Sequence, residues 1–427
     1  MESNKKTPKI RFKGFDEPWE KKKFDEVFDI LSNNTLSRDN LNNEQGSTQN
    51  VHYGDILVKF GEYTDIDEES LPYITDEEVA AKLLNMLLKD GDVIIADTAE
   101  DAIVGKCTEI GNIGEKKVVA GLHTMPCRPK IDIAPRYMGY YMNSSAYHDK
   151  LYPLMQGVKV VSIARSSIKN TEFHLHSKID EQEKIGNLFY YIDDLIQLEE
   201  ERCKKLQTIR TTMQVKLFPQ KGQEKPEIRF KDYDDTWKEC PLKDITDRVI
   251  VGLATSVTPF YRKSGTPLIR NLNIKENYLD DTDILYLDEK YAAENESKKI
   301  RTGDVLTVHT GSNIGLTCIL PEKYDGCLSF TTLITTPKKK MLDSVFLMQY
   351  LNSPEGKNRI FSVITAGGKP NLNSGDLEKV MICYPDIDEQ KRIGRYLSQM
   401  DYLITNSQSR CEKLRAIKKG CMKNMFV

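Results

Sequence analysis

The stretch IDEQEKIGNLFYYIDDLIQLEEERCKKLQTIRTTMQVKLF at residues 179–218 returns as IDEQKRIGRYLSQMDYLITNSQSRCEKLRAIKKGCMKNMF at residues 387–426, 208 residues later and without a gap. Asp193/Asp401, Leu195/Leu403, Ile196/Ile404, Arg202/Arg410, Cys203/Cys411, Leu206/Leu414, Ile209/Ile417 and Phe218/Phe426 all match. A packed helix demands such constancy: one inserted residue turns every later side chain by about 100° and breaks the apolar seam. Steps of three and four place that seam on Ile185, Leu188, Ile192, Leu195, Cys203, Leu206, Ile209, Met213 and Leu217. In the second copy it falls on Ile393, Met400, Leu403, Cys411, Leu414, Ile417 and Cys421. This is the rhythm of a coiled coil. About 35 helical residues would make a rod ~50 Å long. Asp180 with Glu183 three residues on predicts a capped start.

The repeat extends outward from the helices. PKIRFKGFDEPW (residues 8–19) returns as PEIRFKDYDDTW (residues 226–237), 218 residues later, and both tryptophans of the chain sit at this matched position. GDVIIADT from Gly91 matches GDVLTVHT from Gly303, 212 residues on, and YMNS from Tyr141 matches YLNS from Tyr350, 209 residues on. The offset therefore drifts through the first part of each half and then locks. Loops absorb insertions at little cost, so the drift marks a loop-rich domain ahead of each helix. The organisation that follows is a domain at 8–175, a helix at 176–218, a linker at 219–225 (PQKGQEK), a second domain at 226–384 and a second helix at 385–427. The domains read as mixed α+β. A glycine turn feeding a short apolar strand is expected at 54–58, 91–96 and 303–308, and short helices at 135–150 and 343–357.

Composition narrows the function. The chain has 427 residues, 39% hydrophobic and 29% charged, with a net charge of −3. That suits a multidomain globular protein. No apolar run is long enough to span a bilayer, and MESNKKTPKIRF lacks the apolar stretch of a signal peptide. The nine cysteines are scattered with no CxxC, which argues against a disulfide framework or a zinc ribbon and for reduced thiols in a cytoplasm. Bulk charge gives no general attraction to nucleic acid, so a DNA-binding role would need local basic patches or a partner's positive surface.

Motifs for catalysis are weak. Residues 385–391, PDIDEQK, carry a PD followed by ExK, as in metal-dependent nucleases. The two elements are too close for that role, and the first copy, SKIDEQE (residues 177–183), lacks the PD and the lysine. A helix start with acids in its first turn accounts for it. There is no phosphate-binding GxxxxGK[ST] and no NPPY or DPPY. His174 and His176 lie on one strand face without a third ligand nearby, which reads as a solvated strand.

The ordered, duplicated set of phrases (P-IRF…W, GDVLTVHTGSNIG at residues 303–315, and IDEQ-K-IG…D at residues 179–193 and 387–401) resembles the DNA-specificity subunit family of type I restriction–modification enzymes. The resemblance spans essentially the whole chain. It implies two target-recognition domains, each reading half of an asymmetric bipartite target in double-stranded DNA. The two helices would pack antiparallel and space the half-sites. Two modification subunits (adenine-N6 methyltransferases) and the restriction subunits, an ATP-dependent translocase and nuclease, would be the partners. S-adenosylmethionine, ATP and magnesium would belong to those partners, leaving no cofactor and no catalytic residue in this chain. A coiled-coil adaptor without DNA specificity is the competing reading, but it does not call for two large, loop-variable domains.

Base reading uses Arg or Lys for guanine, Asn or Gln for adenine, and hydroxyls elsewhere, all on exposed loops. Candidates in the first half are Thr98, Lys159 and Arg165, with Lys116 and Lys117 for phosphates. In the second half they are Arg262, Lys263, Arg270, Ser312, Asn313, Lys369, Asn371 and Asn373. Glu100 and Asp101 would repel phosphate beside the first set.

Overall fold

The computed structural model describes residues 7–101, 103–364 and 371–427. It divides into two compact units, one built from residues up to 200 together with 409–427, the other from 201–408. Each unit thus takes one loop-rich domain and a half of each long helix. These helices are α1 (Ile179–Lys216) and α2 (Ile387–Asn424), both 38 residues long. They start and stop 208 residues apart, as the ungapped repeat requires. Asp180 is not the cap that its spacing to Glu183 suggests. The helix is already running at Ile179, so Asp180 lies in the first turn, where the helix dipole still favours an acid.

In the first unit Asp193, Ile196 and Glu199 of α1 meet Lys418, Cys411 and Arg410 of α2. Numbers rise along one helix as they fall along the other, so the segments run antiparallel. In the second unit Arg210 pairs with Asp401, while Leu217 and Phe218 share a core with Ile393 and Leu397, which gives the same sense. The packed positions on α1 include Ile185, Phe189, Ile192, Cys203 and Arg210, and Leu217 just past its end is buried too. Leu188, Leu206, Met213, Met400, Leu403 and Leu414 are half-buried. Three expected seam residues lie off the packed face: Leu195 is 48% exposed, Ile209 45% and Ile417 53%. At positions 210 and 418 the seam holds Arg210 and Lys418, each paired with an aspartate. A rotation of about 100° per residue then turns the adjacent isoleucines outward.

The domains share a strand plan. In the first unit β1 (Gln49–Val51), β2 (Val93–Ala96), β3 (Cys107–Gly111), β4 (Val118–Ala120) and β5 (Thr124–Pro129) form its frame. Strand β2 pairs antiparallel with both β5 and β3, and β1 runs parallel to β4. In the second unit β6 (Thr266–Arg270), β7 (Val305–Val308), β8 (Thr317–Ile319), β9 (Leu328–Phe330) and β10 (Thr332–Pro337) repeat it. Strand β7 pairs antiparallel with β10 and β8, and β6 runs parallel to β9. The short helices Tyr137–Asn143 and Ser344–Asn352 complete the α+β plan.

The repeated Gly-Asp phrase has a physical reason. Gly91 and Gly303 adopt φ of +84° and +87°, which glycine tolerates without a Cβ penalty. The next residue closes the turn: Asp92 accepts from Lys89 N at 2.8 Å and Asp304 from Arg301 N at 2.9 Å. Both carboxylates are buried and held by arginine, Asp92 by Arg128 and Asp304 by Arg248. The similar phrase at Gly54 is not a strand. Residues Tyr53–Val58 form a helix, because His52 caps it by accepting from Gly54 N.

The two repeated sequence phrases prove to be two faces of one clamp. Arg11 grips Glu181 through two bonds of 2.8 and 2.9 Å, and Arg229 grips Glu389 through two of 2.8 Å. Gln182 accepts from Ala134 N and donates to His176 O; Gln390 accepts from Asp343 N and donates to Pro385 O. At Gly186 an added Cβ would lie 2.9 Å from Pro135 O, and at Gly394 3.1 Å from Phe346 N. Glycine there lets each helix press against its domain. Behind the clamp Trp19 packs with Tyr137, Tyr141 and Phe426, and Trp237 with Phe346, itself against Phe218.

Candidate nucleic-acid interface

The nuclease-like phrase dissolves in this clamp. Glu389 is engaged bidentately by Arg229, Gln390 ties down loops, and Asp386 and Asp388 point to solvent. His176 is not on a solvated strand face. It is buried between Phe15 and Trp19, with its Nδ1 3.2 Å from Glu181. Among the described residues no group of three or more His, Cys, Asp or Glu side chains is placed to hold a metal ion. None of their helices is long and apolar enough to cross a membrane.

The outer loops are where exposed polar chemistry gathers. Thr98 lies just past the end of β2, paired in register with Ser162 and bonded to Asp97 (2.8 Å) and His123 (3.2 Å). Arg165 is exposed three residues after Ser162, opening a short helix and donating to Asn33. Lys159 lies on the exposed loop that precedes Ser162 and enters no ion pair among the described residues. Lys116 is elsewhere engaged: its amine donates to Ile66 O at 2.7 Å and pairs with Asp67. Lys117 is exposed next to it.

In the second unit Asn371 bridges Thr310, the residue matching Thr98, and Asn373 caps the helix Ser374–Lys379 by accepting from Asp376 N. Ser312 and Asn313 are exposed in the turn between β7 and β8. Arg270 ends β6 and pairs with Asp283 at 2.7 Å. Arg262 pairs with Asp288, while Lys263 is exposed and unpaired among the described residues. Lys369 lies outside the described residues. The frame thus gathers Thr98 with Ser162, and Thr310 with Asn371. It leaves Lys116, Arg262 and Arg270 committed to local acids.

Sequence reasoning missed Glu109, a buried carboxylate that takes the backbone N–H groups of Arg136 and Gly139 at the start of the helix Tyr137–Asn143. Burial pushes its pKa up to about 7, against the lowering effect of those bonds. Arg136 opens that helix with φ +70° and stacks its guanidinium 3.8 Å from the Tyr190 ring centre.

The architecture defines a class: a duplicated scaffold of two loop-rimmed α+β domains, each clamped to a long helix. Comparison with known proteins gives the family. A family model described as the type I restriction modification DNA specificity domain matches residues 16–208 and again 234–416, so the chain belongs to that family. Among relatives, a putative type I restriction enzyme MjaX specificity subunit of Methanocaldococcus jannaschii is 29% identical over 197 residues, 45% of this chain and 46% of that protein. The type I restriction enzyme EcoKI specificity subunit of Escherichia coli K12 is 22% identical over 281 residues, 64% of this chain and 60% of that one. The matches span between about two fifths and three fifths of the length of these relatives. The crystal structure of the type I restriction-modification S subunit from M. genitalium superposes with a TM-score of 0.59 at 13% identity, covering 99% of both chains, which shows a shared fold.

Proposed function

We propose that this chain is the DNA-reading subunit of a type I restriction–modification complex, with one half-site of a bipartite, asymmetric target assigned to each domain. One observation carries the reading: two copies of the same strand frame and clamp present different outer loops. A duplicated frame with unlike rims suits an asymmetric target better than an adaptor role. In this reading the chain does no chemistry. Methyl transfer and cleavage, with S-adenosylmethionine, ATP and magnesium, belong to partner modification and restriction subunits, and the complex works in the cytoplasm.

The charge pattern fits a reader that relies on partners. Net charge is −3, and several exposed cations are neutralised locally, as in Arg38–Asp55, Lys116–Asp67 and Arg262–Asp288. Phosphate neutralisation dominates DNA affinity, so the isolated chain should bind duplex DNA weakly and with a shallow salt dependence. The complex with the methyltransferase should bind tightly, with a steep one. The test is methylation mapping of DNA from cells that express the chain with its methyltransferase. A split motif with modified adenines supports the reading, and unmodified DNA, or modification without a motif, overturns it.

A further inference from the structure

We infer that in each domain the base-reading site is the corner where three strand ends meet: Tyr53, Thr98, His123 and Ser162 in the first half, and Asn271, Thr310, Thr331 and Asn371 in the second. The inference rests on the DNA-reading function above and names the side chains that would set the specificity.

The two corners are built on one backbone plan. Thr124 pairs with Ala96 and Thr332 with Val308, so β5 and β10 begin at matched places. Immediately before each lies a residue in the left-handed region, His123 and Thr331, both at φ +54°. On the second side, Ile163 N donates to Asp97 O at 2.9 Å and Leu372 N to His309 O at 3.0 Å. This sets Ser162 beside Thr98 and Asn371 beside Thr310. On the third side, the parallel strands β1 and β6 end at Val51 and Arg270, delivering His52 and Tyr53, or Asn271 and Leu272, to the rim.

The backbone matches and the side chains do not. The first corner is aromatic and imidazole-rich. His52 and Tyr53 rings lie 4.5 Å apart, Tyr53 meets His123 edge-on at 5.2 Å, and His123 Nδ1 is 3.2 Å from Thr98 Oγ1. The second corner is made of amides and hydroxyls: the Asn271 amide lies 3.5 Å from Thr310 Oγ1, Asn371 is exposed, and Leu272 is 48% exposed. A left-handed backbone is unfavourable for histidine and more so for β-branched threonine, whereas glycine adopts it freely. Retaining a side chain at that point in both halves means the side chain has a use, since strained backbone persists chiefly at functional positions. The groups offered are those that read base edges: amides suited to adenine, hydroxyls that donate or accept, and an apolar Leu272 suited to the thymine methyl. Different sets on one frame give two different half-sites.

The test selects bound sequences from a randomised duplex DNA pool, using the full chain in complex with its methyltransferase subunits. His123→Gly and Thr331→Gly delete the side chain at a φ that suits glycine. His123→Asn, which tolerates the same φ, keeps a polar group should the glycine variant fold poorly. Thr98→Val and Asn271→Ala complete the set. His123→Gly with Thr98→Val should lower discrimination at one or two base pairs of one half-site by about tenfold and leave the other half-site intact. Thr331→Gly with Asn271→Ala should do the same to the other half-site only. Lys238→Ala, at an exposed residue outside both corners that pairs with Asp386, should leave both unchanged. Both half-sites surviving in every one of these corner variants would overturn the inference while leaving the function standing. A wild-type complex that enriches no split motif would overturn the function itself, and the inference with it.

Discussion

The two units differ in how they begin the short helix behind the clamp. In the second unit Asp343 caps Ser344–Asn352 from its own chain position, accepting from Val345 N and Phe346 N at 3.0 Å. In the first unit the matching residue is Ala134, the helix starts two residues later behind Arg136 in a left-handed conformation, and the acid arrives from strand β3 as Glu109. The strand pairings show that the residue of the second unit matching Glu109 is Ile319. One task, satisfying the first amides of a helix, is therefore done by a half-buried local aspartate in one unit and a fully buried glutamate in the other. The buried glutamate makes the first unit sensitive to pH. The clamp, by contrast, is the same in both. Divergence was tolerated where a neighbour could supply the missing group, and not where an arginine and a glutamate face each other in the interior.

The largest expected effect tests the sameness of the clamps. Arg11→Ala and Arg229→Ala each strip a buried glutamate of its bidentate arginine, which costs roughly 3–5 kcal/mol. Denaturant unfolding followed by hydrogen exchange should show the loss in the first unit for Arg11→Ala and in the second for Arg229→Ala, at similar size. A large loss from one variant and none from the other would break the equivalence.

The next effect tests the difference. Glu109 titrates near pH 7 in the folded chain and near the ordinary 4.5 when unfolded. The folded form therefore binds this proton more tightly, and the stability that Glu109 contributes is fully present below pH 4.5. It is lost as pH rises towards 7, and then levels off. The change amounts to about 3 kcal/mol across that window. Glu109→Gln should flatten the pH profile of the first unit, measured by urea unfolding at pH 5 and pH 8. An unaltered slope would show that the carboxylate is not the source.

Smaller still are the clamp glycines. Gly186→Ala and Gly394→Ala push a methyl into backbone atoms of the facing segment and should cost about 1–3 kcal/mol by overpacking. Gly186→Ala should be the worse of the two, because its contact with Pro135 O is the closer. The smallest is Asp343→Ala, which removes a local cap worth about 1 kcal/mol. Thermal melts of these three variants rank the terms, and a reversal of the order would contradict the packing argument.

Much of the architecture was legible because the sequence is written twice. Equal helices follow from an ungapped offset, and the matched tryptophans and Gly-Asp turns mark the domain frames. The seam was only partly legible. Arg210 and Lys418 occupy positions that a hydrophobic pattern assigns to apolar residues, since each neutralises an aspartate across the helix pair. The Gly54 stretch looked like its strand-forming cousins, but a histidine cap, not a glycine turn, precedes it. Glu109 was invisible because the amides it caps lie 27 and 30 residues further along the chain. At the rim, Thr98, Thr310 and Asn371 were within reach of a search for polar loop groups. His123 and Thr331 were not, because a left-handed φ on a non-glycine residue leaves no mark in the sequence.

The central claim is that two copies of one frame read two half-sites independently. Replacing residues 20–165 with the corresponding block of a relative, leaving Arg11, Glu181 and both helices native, tests it most directly by methylation mapping in cells that carry the methyltransferase. The account predicts that one half-site changes to a new sequence while the other is retained. A change in both half-sites, or in neither, would contradict it.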